Sequence, residues 1–83
     1  MTNTALLEKR ITESGLKKSY IAKAIGLSPY GLTLKIRNSN EFKASEIVKL
    51  CDLLNITDPE EKSTIFLAES RIFFYFSERR YYE

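Results

Sequence analysis

Apolar residues recur along this chain in five bursts at helical spacing, separated by short polar corners. The first burst places Leu6, Leu7 and Ile11 on one stripe behind Asn3 or Thr4 as N-cap, and Gly15 suits a left-handed stop. The second, over about 18–25, turns Ile21, Ala22 and Ile25 inward and ends at Gly26. Ser28 as N-cap and Pro29 in the first helical position then open a third helix over 29–37, anchored by Leu32 and Ile36. A loop, "NSNE", leads to a fourth helix over 44–54, whose stripe of Ile47, Leu50, Cys51 and Leu54 follows i, i+3, i+4, i+7; Phe42 before it is expected to pack back on the core. "DPEE" signals a fifth start, with Asp58 as cap, Pro59 first and Glu61 completing a capping box, for a helix over 59–68. The closing stretch "RIFFYFSERRYYE" fits neither period cleanly and reads as a short strand or a helix. These elements predict an all-α domain over 1–69 with an aromatic tail over 70–83.

Composition narrows the function classes. The 83 residues hold one cysteine and no histidine, so an intramolecular disulfide, the usual Cys/His zinc sites and any histidine-dependent triad are ruled out. Cys51 sits on the apolar stripe of the fourth helix and reads as a small buried side chain. No cofactor, metal or small-molecule substrate is expected, and an enzyme is not. The longest apolar run, Ile72 to Phe76, is too short to span a bilayer, and the N-terminus lacks a signal-peptide pattern. A cytoplasmic protein is expected, without a membrane partner. The net charge of +2 conceals a gradient: residues 1–50 carry nine Lys/Arg against four Glu, while residues 51–83 carry four against seven Asp/Glu. From Gly15 to Lys43 there are six basic residues and one acidic, a local excess that fits a polyanion partner at one face.

The stretch "SYIAKAIGLSPYGLTLKIRN" sharpens this. Two short helices meet steeply only if a small residue lies where they cross, the corner tolerates unusual backbone, and apolar residues lock it. Ala22, Gly26, and the set Ile21, Leu27, Leu32 and Ile36 meet those conditions. Together with "FKASEIVKLCDLLNI", in which Phe42 to Ile47 follows the family's Phe-x-x-x-Glu-Ile pattern, and with "STIFLAES", the stretch resembles the Cro-type (XRE-like) helix-turn-helix family of small phage and prophage regulators. The resemblance covers about residues 5 to 69. It implies a compact five-helix, lambda-repressor-like fold and an operator-binding regulator, with helix 29–37 in the major groove. The chain departs from the family at Lys17, where Thr or Ser usually caps the second helix, at Pro29 and Gly31, where base-reading polar residues are common, and from Arg71 onward.

On that basis Pro29, Tyr30, Thr33, Leu34 and Arg37 are the expected base-reading residues, on the face opposite Leu32 and Ile36. Lys17, Lys18, Ser28, Lys35, Asn38 and Lys43 are the expected phosphate contacts, whereas Lys23 reads as plain surface. So few basic contacts per monomer make a homodimer on a two-fold double-stranded operator the expected binding unit. Phe73, Phe74, Tyr75 and Phe76 are the candidate dimerisation segment, the other reading being that the tail folds back over helices one and five. Repression by occlusion is the default mechanism. The alternative function is a protein–protein regulatory module, an antirepressor or antitoxin, using the same hairpin and tail to bind another protein.

Overall fold

The start of each helix is visible in its capping chemistry. In the structure, a computed structural model that describes residues 2–66, five helices follow one another: α1 (Thr4–Ser14), α2 (Lys18–Ile25), α3 (Pro29–Ile36), α4 (Ala44–Leu53) and α5 (Pro59–Ile65). Asn3, rather than Thr4, caps α1 by accepting from the Leu6 N–H; Ser28 accepts from Gly31 at α3, and Asp58 from Glu60 at α5. Helices α3 and α4 each end one residue before the expected limit, within the ordinary fraying of helix ends. At α4 the Glu46 carboxylate accepts from the Lys43 N–H at 2.8 Å, which is the N3 half of a capping box; the N-cap half is lacking, because a lysine side chain has no acceptor to offer. Glu61, expected to complete a capping box at α5, turns instead to Arg10, 3.5 Å away. No strand occurs among the described residues. The aromatic tail, with Phe73, Phe74, Tyr75 and Phe76, lies outside them, as does the end expected for the fifth helix at Ala68.

Helix ends are set by backbone that tolerates positive φ. Gly15 (φ 71°) and Gly26 (φ 85°) close α1 and α2, while Asn38 (φ 67°) and Asn55 (φ 59°) do the same after α3 and α4. Asparagine is the residue besides glycine that enters this region at low cost. At the corner between α2 and α3, the Leu27 N–H reaches back to the Ala22 carbonyl at 2.8 Å. Ala22 is fully buried there.

Helix α2 packs on α3 and α4, and α1 on α3 and α5. Their inward stripes merge into one core: Leu7, Ile11, Ile21, Ala22, Ile25, Leu32, Ile36, Ile47, Leu50, Cys51 and Leu54, joined by Ile56, Ile65, Phe42 and Phe66. Phe42 does pack back, meeting Phe66 edge-to-face with ring centroids 5.9 Å apart. A radius of gyration of 12.0 Å is that of a compact globule; chains of this size give about 11–12 Å. No helix among the described residues is long and apolar enough to cross a membrane.

Polar ties hold the bundle where helices end. Arg10 on α1 donates to the carbonyls of Leu54 (3.3 Å) and Asn55 (3.1 Å), which α4 leaves unpaired. The N-terminal segment laces α3 to α5: the Asn3 N–H donates to Ile65, and the Thr4 hydroxyl to Ile36.

Cys51 is buried at 1% exposure, and burial pushes its thiol up to about 11. A thiol at that value is inert near neutrality, so a thiol reagent at pH 8 should label the native protein slowly and the urea-unfolded protein at once. Because the folded value lies above the unfolded one, near 9, the thiol's stabilising share is present below pH 9 and is lost as pH rises toward 11. Stability measured from pH 8 to 11 should fall more steeply in the wild type than in Cys51→Ala.

Candidate nucleic-acid interface

Helix α3 separates its two faces cleanly. Ser28 caps it, and Gly31 leaves room for that cap, since a Cβ at residue 31 would stand 3.1 Å from the Ser28 hydroxyl oxygen. Leu32 and Ile36 point into the core, at 0% and 3% exposure. On the other side Tyr30 is 72% exposed, and Pro29 and Arg37 are exposed as well. Thr33 and Leu34 are half-buried, so the expected outward row is open at its ends and recessed in the middle. The Thr33 hydroxyl donates to the Pro29 carbonyl one turn back, at 3.1 Å.

The helices beside α3 begin in an unusual way. Lys17 heads α2 and Lys43 heads α4, and at neither start does a side chain cap the amides of the first turn. Lysine at this position is disfavoured by the helix dipole, and uncapped amides await an acceptor. An anion placed there would answer both deficits, since first-turn amides and a cation together make a phosphate seat. Helix α2 packs directly on α3, and α4 is tied to the end of α3 by an ion pair, so both lysine-headed starts belong to elements that border α3. Lys17, Lys43 and Arg37 form no ion pair among the described residues. From Gly15 to Asn40 there is no acidic residue to offset Lys17 and Arg37, whereas Lys43 lies between Glu41 and Glu46.

Two residues expected at phosphates have other work. The Lys35 ammonium lies 2.5 Å from the Glu46 carboxylate, and both side chains are about nine-tenths buried, at 11% and 10% exposure. A charge so placed is withdrawn from solvent and from any partner. Burial raises the Glu46 carboxyl, but the hydrogen bond from Lys35, the Lys43 N–H and the charges of both lysines outweigh it and hold the group below its ordinary value. Asn38 is likewise occupied: its side chain accepts from the Thr2 N–H (2.7 Å) and donates to the Thr2 carbonyl (2.9 Å) and Thr4 hydroxyl (3.3 Å). It clasps the N-terminal segment to the end of α3. Lys18 pairs with Glu8 on α1 at 2.9 Å, but both groups are about half exposed, so the pair is weak and opens readily. Ser28 is engaged only as an acceptor, which leaves its hydroxyl proton for an outside oxygen.

The clasp gives a direct expectation. Asn38→Ala removes three hydrogen bonds and puts a Cβ-bearing residue at positive φ, so it should lower stability by about 1–2 kcal/mol in urea titration. Asn38→Gly loses the same bonds but relieves the backbone, and should cost less.

Sequence reasoning missed the Lys35–Glu46 pair and the N-terminal clasp. Glu46 carried one signal, lying three residues after a helix start; nothing in the order of residues marked Lys35 as its partner. Among the described residues no group of three His, Cys, Asp or Glu side chains could hold a metal. No family model, curated protein or solved structure matches the chain.

Proposed function

We propose that this protein is a sequence-specific, double-stranded DNA-binding regulator of the Cro-like helix-turn-helix kind, of phage or prophage origin. Helix α3 enters the major groove and Lys17 and Lys43 seat on phosphates to either side. The observation that carries this reading is the exposed outer side of α3, with Tyr30 at 72% exposure, bordered by two helices that each begin on an uncapped lysine. Pro29, Tyr30, Thr33, Leu34 and Arg37 face the bases. Lys17, Lys18, Lys43 and the Ser28 hydroxyl serve the backbone, whereas Lys35 and Asn38 hold α3 in place. The small number of cations calls for a homodimer on a two-fold site, with the aromatic segment 73–76 as the joining surface. Bound there, the dimer represses by excluding polymerase.

Fluorescence anisotropy with DNA from around its own gene, against unrelated DNA, tests the reading at several salt concentrations. With Lys17, Lys18 and Lys43 at phosphates, the log–log salt slope should be about −3 per monomer. Binding that is equal on both DNAs, or that ignores salt, would sink the proposal and favour a module that binds another protein.

A further inference from the structure

We infer that α3 recognises its site chiefly through thymine methyl groups, an inference that rests on the DNA-binding reading and names what that face selects. The ground for it is how little hydrogen-bonding capacity α3 leaves free. Thr33 spends its only proton on the Pro29 carbonyl, Lys35 is held by Glu46, and Asn38 by Thr2 and Thr4. Ser28 gives its acceptor side to Gly31. What the outer face presents is apolar: the Pro29 ring, the exposed Tyr30 ring, the Thr33 methyl and the Leu34 side chain. Between the Ser28 cap, whose free hydroxyl proton is turned to a phosphate on the DNA-binding reading, and Arg37 at the end, the Tyr30 hydroxyl is the uncommitted side-chain donor of α3.

In the major groove guanine offers two acceptors and needs donors opposite them, whereas the thymine C5-methyl is the apolar feature of the code. A face with few donors and several methyl-sized contacts matches thymine and discriminates poorly for guanine, except where Arg37 reaches. The Thr33 oxygen, its proton spent, retains lone pairs that accept from an adenine or cytosine amino group but cannot serve a guanine.

The test begins by selecting bound duplexes from a random-sequence pool with the full chain. Each thymine of the selected site is then replaced singly by deoxyuridine, which removes the methyl and leaves pairing intact. Two or more positions in each half-site should weaken binding about fourfold per lost methyl. Thr33→Val keeps the methyl and sets a second one in place of the hydroxyl, so where residue 33 meets a thymine methyl it should hold affinity within about twofold, while Thr33→Ser should lose about fourfold and become insensitive to deoxyuridine at one position. Residue 33 is half-buried and outside the core cluster, so neither variant threatens folding. Selective binding indifferent to deoxyuridine at every position would overturn this inference alone, as would a Val variant weaker than the Ser variant. Failure to select any sequence would overturn the DNA-binding reading with it.

Discussion

Glu46→Gln should lower the unfolding free energy by about 3 kcal/mol, a large share of the roughly 5–10 kcal/mol expected of a domain this small. The substitution keeps size and shape and removes only charge, so the cost is that of leaving the Lys35 ammonium in a nearly dry site without its counter-ion. Lys35 sits at 11% exposure. Lys35→Met in the same background should recover most of the loss, because removing both charges removes the desolvation cost as well as the attraction. Urea titration of the three variants measures it; a Gln variant within 1 kcal/mol of wild type would show that the pair is solvated and slack. The pH dependence has a fixed sign. Glu46 titrates lower when folded than unfolded, so its contribution is present above about pH 4.5 and is lost as pH falls through the folded value. The Gln variant should lack that part of the acid limb.

The same pair explains what could and could not be seen in the sequence. Helix starts were legible because capping is local: Ser28-Pro29 and Asp58-Pro59 declare themselves within three residues. The core stripe was legible because Ile47, Leu50, Cys51 and Leu54 recur at the period of the helix they lie on. The stop at Gly26 was legible because a left-handed backbone tolerates few residue types. Lys35 was not, since its role is fixed by a carboxylate eleven residues away on another helix, and an isolated lysine on an amphipathic helix reads as solvated. Asn38 misled for a related reason. Its left-handed backbone was written in the residue type, but the partner of its side chain, the backbone of Thr2, leaves no mark in a sequence because every residue carries a backbone. Of the expected phosphate residues, Lys17 and Lys43, ahead of helix starts, kept a cation with no ion pair among the described residues, Lys18 pairs with Glu8, and those near the end of α3 were drawn into the fold.

Leu32→Ala and Tyr30→Ala, two residues apart on α3, should separate folding from recognition. Leu32 is completely buried where α2 and α3 meet, and its truncation leaves a cavity among Ile21, Ile36 and their neighbours that a close-packed core cannot fill. The expected loss is about 3–4 kcal/mol, enough to unfold a substantial fraction of the protein at 37 °C. DNA binding, where it survives, should weaken only in proportion to the unfolded fraction, with its sequence preference and salt slope unchanged. Tyr30, at 72% exposure, contributes little to the core, so Tyr30→Ala should leave stability within about 0.5 kcal/mol. On the DNA-binding reading it removes a ring from the centre of the contact, and affinity for the selected site should fall about tenfold or more. The salt slope should stay put, because tyrosine releases no counterion, whereas Lys17→Ala should flatten it by about 0.9. A Tyr30 variant that binds as tightly as wild type, in a protein whose stability is also unchanged, would show that the open face of α3 is not where this chain meets DNA.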